Sequence, residues 1–239
     1  MLVEVCANSW ESALNAQKAG ADRIELCSEL AVGGITPSIG LIKLVRQHLS
    51  IPIHVLIRPR SGHFTYSDTE FEVMKADIET CKELGVDGIV SGVLNKDFTV
   101  DVSRTKVLVD LCKPLHFTFH RAFDWIENPV EALNQLEKIG VVTVLSSGGK
   151  ATAEIGLHHL EAWQKKTSLT LMAGGGVTPE NASMFKQSRF RAIHCSGTSF
   201  GNRVDLQGKI TMNSSRHLVE DRFALTDVET IKSIVKAVK

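Results

Sequence analysis

The stretch Leu115–Asp124, Leu-His-Phe-Thr-Phe-His-Arg-Ala-Phe-Asp, alternates with a period of two and then ends in an imidazole, a guanidinium and a carboxylate. Phe117 and Phe119 share one face of the strand this implies; His116, Thr118 and His120 share the other. Other apolar runs close in the same way, with Glu4-Val5-Cys6, Glu25-Leu26-Cys27, Arg58-Pro59-Arg60 and His194-Cys195-Ser196. By parity Glu4 lies with Cys6, Glu25 with Cys27, and His194 with Ser196. Turned to one mouth, these residues gather carboxylates, thiols, imidazoles and arginine. Buried charge is costly unless paired, so such a cluster points to a site. Glutamate–arginine pairs that brace a core are the structural alternative.

Three chemistries suit these residues. Cys6 and Cys27, at matching heights on strands about 4.8 Å apart, can share one soft ion. Cu(I) is served by two thiolates, whereas Zn(II) would draw further ligands from His120 or His194. Inert buried cysteines are the alternative. An anionic ligand is the second candidate. Gly174, Gly175 and Gly176, then Ser196 and Gly197, end two successive strands in bare backbone, and Ser146-Ser147-Gly148-Gly149 does so earlier. Arg58, Arg60 and Arg121 supply guanidinium forks that match phosphate or carboxylate oxygens. The third is acid–base catalysis: Glu25 or Glu4 as base, His120 as acid, and Arg58 with its neighbours neutralising negative charge, as in isomerases, epimerases and lyases. No nucleophile elbow, HExxH motif or Schiff-base lysine at a strand end is present, Lys150 being the nearest; His158-His159 reads as surface.

The elements that must position these groups repeat. Gln17–Cys27, Cys81–Ser91 and Leu136–Ser146 each run from a helix end through Gly20, Gly85 or Gly140 into an apolar strand. Strands are expected near 2–6, 23–27, 51–58, 87–93, 115–121, 142–147, 169–174 and 191–196. Helices fall between them, near 9–19, 38–49, 68–84, 103–112, 129–139, 153–166 and 179–187, with a last one at 227–237. Ser9, Ser38, Ser67 and Thr178-Pro179 supply start signals. Eight strands alternating with eight helices make an α/β (β/α)₈ TIM barrel; a doubly wound sheet seldom uses eight even units. A single domain over 1–239 is expected, with one irregular loop at about 198–225 that could lid the site or meet a partner.

Lysine plus arginine equals aspartate plus glutamate at 27 each, which gives no basic surface for nucleic acid or anionic membrane. Five cysteines without a CxxC pair, no leader and no membrane-length apolar run suggest a reduced, cytoplasmic protein.

Taken together, Val3-Glu-Val-Cys6, Gly20–Cys27, Gly33-Gly-Ile-Thr-Pro-Ser38, Ile57-Arg-Pro-Arg60, Thr118–Asp124 and Met172-Ala-Gly-Gly-Gly176 resemble the CutC family of copper homeostasis proteins over nearly the whole chain. Ser61-Gly62-His63-Phe64 departs from that family's Gly-Gly-Asp-Phe. The resemblance implies a cytosolic barrel with Cys6 and Cys27 as Cu(I) ligands and self-association as a homodimer or higher oligomer. It brings no accepted reaction with it, and copper or an anionic small molecule both remain open as partners.

Overall fold

A computed structural model describes residues 1–212 and 220–239. Eight parallel strands pair in chain order and close into a barrel: β1 (Leu2–Ala7), β2 (Arg23–Leu26), β3 (Ile53–Leu56), β4 (Gly88–Ser91), β5 (His116–Phe119), β6 (Thr143–Ser146), β7 (Thr170–Gly174) and β8 (Ala192–Cys195). Around it lie α1 (Trp10–Lys18), α2 (Ile39–His48), α3 (Asp68–Glu83), α4 (Val102–Cys112), α5 (Pro129–Lys138), α6 (Leu157–Gln164), α7 (Ala182–Gln187) and α8 (Val228–Val238). The expected (β/α)₈ barrel is therefore the fold.

Alternation sorts side chains into two compartments. Val3, Val5, Ala7, Ile24 and Leu26 join the large apolar core beneath the helices, while Cys6, Cys27, Leu56 and Val90 form a separate cluster inside the barrel. Leu145, Met172 and Ala192 make a second interior cluster. Between these clusters the barrel is polar: Glu4, Arg23, His54, Thr118 and Thr143 are all buried. Pairing sets their level, for Glu4 lies opposite Arg23 on one side and His194 on the other, and Glu25 lies opposite His54.

Local signals act as the sequence suggests. Ser9, Ser38 and Ser67 cap α1, α2 and α3, the last as a full capping box with Glu70. Gly20, Gly85 and Gly140 follow helix ends at φ of 88°, 71° and 92°, the left-handed region that side chains resist.

The strands are mostly shorter than expected, as at Ile53–Leu56 and Gly88–Ser91, and three of the shifted boundaries have a clear physical cause. The strand expected to reach 121 ends at Phe119, because His120 caps a 3₁₀ turn over Arg121–Trp125 and accepts the Ala122 amide at 3.2 Å. Helix α6 starts at Leu157 rather than 153, since Gly156 packs its α-carbon against the Ser147 carbonyl where no side chain would fit. Helix α7 starts at Ala182 because Asn181 first ties the loop, accepting from the Thr178 amide and donating to the Gly176 carbonyl.

In the long connection after β8, β9 (Thr198–Phe200) pairs antiparallel with β10 (Ala224–Thr226). Asn15 and Ser12 of α1, bonded to Thr226 at 2.9 and 3.1 Å, pin this hairpin to the barrel. Part of the stretch expected at 198–225 lies outside the described residues. Among the described residues no helix is long and apolar enough to cross a membrane.

Candidate functional site

The C-terminal ends of the strands enclose a cavity of about 750 Å³. Cys6, Glu25, Arg58, His120, Arg121, His194, Ser196 and Gly197 line it, with Leu30, Leu56, Phe64, Trp125 and Val177 as the apolar part. Most residues singled out from the sequence thus meet at one mouth. Cys27 sits just behind Cys6, fully buried, with the two sulfurs 3.5 Å apart.

Cys6 is the hub. Its sulfur, a Glu25 oxygen and a His194 nitrogen lie within 4.8 Å of one another. The hydrogen bond with Cys27, then burial, push the Cys6 thiol well above its usual pKa. His194 donates from Nδ1 to Glu4 at 2.8 Å, which fixes the tautomer and turns Nε2 away from that carboxylate. Burial opposes the imidazolium, but hydrogen bonds with Cys6 and Glu4 and the charge of Glu25 outweigh it and raise His194 well above 6.5.

Glu4 anchors the layer below. It accepts from Arg23 Nε at 2.5 Å and from His194, with His54 Nδ1 at 3.9 Å. Burial alone would raise this carboxyl; the His194 hydrogen bond and the Arg23 charge hold it down to about 2. Glu25 has less support. Burial and the Glu4 charge push it up to about 7, against the pull of His194, and its Oε2 has no hydrogen-bond partner. Two carboxyl groups one strand apart thereby part company: Glu4 is ionised at neutral pH, whereas Glu25 is poised near its midpoint there.

The arginines are less free than their residue types suggest. Arg58 spends Nη1 on the carbonyls of Val32 and Gly34, at 2.8 and 2.7 Å, and Nη2 on that of Gly62 at 2.8 Å. Its Nε makes no hydrogen bond, and the Tyr66 hydroxyl lies beside the guanidinium. Arg60 lies outside the cavity lining, paired with Glu70 at 2.5 Å and bonded to the carbonyls of His63 and Thr65. Arg121 lines the rim, held by Asp124 and Ser147 at 2.8 Å each. Gly175 and Gly176 line the cavity whereas Gly174 does not. The loop after β6 is closed to anions, because Asp124 already accepts the amides of Ser147 and Gly149.

His120 is buried and accepts the Ala122 amide at Nδ1, so a neutral ring carries its proton on Nε2. Burial, then the charge of Arg58, lower it to about 3. An acid here is a neutral imidazole donating a hydrogen bond rather than an imidazolium. Its ring is packed so closely that a β-carbon on Gly92 would fall 2.7 Å from Nδ1. Gly92→Ala is expected to displace His120 and cost about 1–3 kcal/mol, read as a lower urea midpoint at unchanged slope.

Sequence parity missed the depth of the polar layer. Arg23 and His54 join His116, which parity does place on the His120 face and which bonds Thr143 at 3.0 Å. Phe64, whose ring meets that of His120 at a tilt with centroids 4.9 Å apart, carried no period because it lies in a loop. His158 is exposed as expected, but His159 is half-buried and bonds the Gly148 carbonyl at 2.8 Å.

The buried neutral imidazoles set a pH dependence. Burial lowers His54 and His120 from 6.5 to about 3, so the unfolded chain takes up protons below pH 6.5 that the folded chain refuses. Glu4, at about 2 against 4.5, adds to the loss below pH 4.5. Glu25, at about 7, opposes it between 4.5 and 7. His54, His120 and His116, which burial lowers likewise, outweigh Glu25, so stability falls from pH 6.5 to 4.5 and more steeply below. Urea midpoints should fall steadily on acidification through that window; a rise would contradict the neutral burial of these rings.

Residues 1–199 match the CutC family. A human relative, described as a copper homeostasis protein cutC homolog, is 42% identical over 98% of this chain and 87% of its own length. A CutC family protein from Salmonella typhimurium is 47% identical over 82% of this chain and 79% of its own. Among solved structures, the CutC protein of Streptococcus agalactiae superposes with a TM-score of 0.78 at 33% identity, over 82% of this chain and 98% of its own. A thiamine phosphate pyrophosphorylase from Pyrococcus furiosus shares the fold at 15% identity, TM-score 0.62, over 99% of this chain and 95% of its own.

Proposed function

The chain belongs to the CutC family, and on that premise we propose that it is a cytoplasmic copper-handling protein that takes Cu(I) as cargo at Cys6 and Cys27. The observation that carries this is the pair of buried sulfurs 3.5 Å apart, with His194 beside Cys6. Soft thiolates and a neutral imidazole suit Cu(I) better than hard divalent ions. With metal–sulfur bonds of about 2.3 Å, a linear two-thiolate ion needs sulfurs about 4.6 Å apart, and a trigonal one about 4.0 Å. The observed separation is nearer the bent arrangement, which leaves room for His194 as a third donor. Glu4 then orients the imidazole, as carboxylates behind ligating histidines do. Loading displaces the thiol protons of Cys6 and Cys27 and the Nε2 proton of His194. Five free cysteines suit the reducing cytosol in which Cu(I) persists. An anaerobic Cu(I) titration against a competing chelator tests the reading: saturation at one ion per chain is expected, and binding no tighter than to a cysteine-free control protein would sink it.

A second reading has its own support. A single ion leaves most of a 750 Å³ cavity unused, and Glu25, poised near neutrality, has a carboxyl oxygen that makes no hydrogen bond and lies 3.9 Å from His194 Nδ1. Glu25 as base, with Arg58 and His120 as hydrogen-bond donors, fits proton transfer beside the carbonyl of a small metabolite. Deuterium uptake from D₂O into dihydroxyacetone, followed by NMR, should be accelerated by the native protein and not by Glu25→Gln. Equal rates in both would remove this reading.

A further inference from the structure

The loops that leave β7 and β8 carry unspent hydrogen-bond donors at the rim of the cavity. Gly174 pairs with His194, so the residues that follow leave neighbouring strands about 4.8 Å apart. Gly175, Gly176, Ser196 and Gly197 all line the cavity, and none of the four is buried. Among the described residues, their backbone amides find no hydrogen-bond partner. The loop after β6 differs, because Asp124 takes its amides. Gly175, Gly176 and Gly197 hold φ of 102°, 73° and 53°, a region glycine enters freely. Arg121 adds charge. Asp124 and Ser147 hold its Nε and Nη2, which fixes the guanidinium, while its Nη1 makes no hydrogen bond. The group occupies the space of a Gly175 side chain, with Nη1 3.1 Å from the β-carbon position. Unlike Arg58, this side chain is 43% exposed, at the rim of the same cavity.

We propose that Arg121 Nη1 and the amides of Gly175, Gly176, Ser196 and Gly197 bind the phosphate group of a phosphorylated small molecule whose carbon body lies in the cavity. Amides on two adjacent loops with one cation beside them suit a tetrahedral group that presents three acceptor oxygens. A carboxylate fits worse. Its two oxygens lie close together in one plane and match a whole guanidinium fork, and here two of the three nitrogens of Arg121 are spent. Two carboxylates of the protein also face this rim: Asp124, which offsets part of the Arg121 charge, and exposed Glu180, hydrogen-bonded to Thr178. Binding therefore rests on the amides as much as on charge. The same cavity is lined by Glu25, Leu56 and Val177, which give the body of the ligand a polar and an apolar wall. The subsite deepens the small-molecule reading by naming its ligand class, and any chemistry there rests on that reading; phosphate binding itself needs neither copper nor turnover.

Backbone amides are observable by ¹⁵N NMR, so the native protein can be tested directly. Glycerol 3-phosphate serves as the probe, with glycerol and lactate as the unphosphorylated and carboxylate controls and inorganic phosphate alongside. A ligand this small binds at roughly millimolar strength, so titration to about 50 mM is sufficient. The expected result is a saturable shift of the Gly175, Gly176, Ser196 and Gly197 amide resonances with glycerol 3-phosphate, none with glycerol, and a much weaker response to lactate. Arg121→Gln should weaken binding by roughly tenfold or more. Glu180→Gln, which removes a carboxylate from the rim, should instead tighten it by about two- to threefold, a gain that a merely structural role would not produce. Amides unmoved by glycerol 3-phosphate would overturn the subsite, as would equal affinity in Arg121→Gln and the native protein. A response to lactate as strong as to the ester would overturn the phosphate assignment, and a response to inorganic phosphate alone would mark an adventitious ion only. Cu(I) in a parallel titration moves the Cys6, Cys27 and His194 resonances instead, and deuterium uptake reports turnover. Failure of the copper reading, of catalysis and of the subsite are therefore separately visible.

Discussion

Replacing both thiols, as Cys6→Ser with Cys27→Ser, is expected to lower Cu(I) affinity by roughly a thousandfold or more. Hydroxyls are hard donors that do not ionise near neutrality, so the ion loses both of its soft ligands, and His194 with Glu25 cannot hold it alone. Loss of an orienting partner typically costs only 10–100-fold in metal affinity, roughly the floor for loss of a ligand. The cost to folding is smaller. Cys27 is fully buried among Leu56 and Val90, so a serine there strands a hydroxyl at about 1–3 kcal/mol. Cys27→Ala, which leaves no polar group unsatisfied, separates the two effects: it should also weaken Cu(I) binding sharply while changing stability less. Affinity that survives in both variants would remove the thiols from the site.

Glu4→Gln is expected to produce the largest loss of stability of any single change at the mouth. Glu4 is fully buried and serves Arg23 and His194 at once. Removing its charge leaves the Arg23 guanidinium inside the barrel without a counterion, a change that costs about 3–5 kcal/mol. For a chain of this length that is a fall in Tm of roughly 10 °C or more. The same variant frees the His194 ring to turn, so Cu(I) affinity should fall by about 10–100-fold. The double variant Glu4→Met with Arg23→Met removes both charges and should recover much of the stability but none of the affinity. Calorimetry and chelator competition on the three proteins check both halves. A Glu4→Gln protein as stable as the native one would mean that the pair is not doing the work its burial implies.

The barrel was legible because its signals are local and repeated. A glycine after each of three helices, serines before others and apolar runs of strand length all follow from backbone geometry that each segment expresses by itself. Parity was enough to place Glu4, Cys6, Glu25, Cys27, His120 and His194 inside, since residues two apart share a face of a strand whatever its partners are. Hydrogen-bond partners were not legible. Arg58, Arg60 and Arg121 look alike as anion binders in the sequence, yet one is held by loop carbonyls, one by Glu70, and one by Asp124 and Ser147. Those partners come from elsewhere in the fold, and no spacing rule reaches them. The loop after β6 shows the same limit, for its glycine-rich backbone suggests a phosphate cradle while Asp124, a residue of the β5 turn, already fills it. The depression of the His120 pKa likewise depends on burial against Phe64, which only the closed barrel brings into contact.

X-ray absorption at the copper edge, on protein loaded anaerobically with one equivalent of Cu(I), tests the central claim most directly. The expected spectrum is that of Cu(I) bound by two sulfurs and one imidazole nitrogen, losing its sulfur contribution in the Cys6→Ser, Cys27→Ser protein. A shell of light atoms alone, or a sulfur shell unchanged in that variant, would contradict it and place the metal, if it binds at all, away from the barrel mouth.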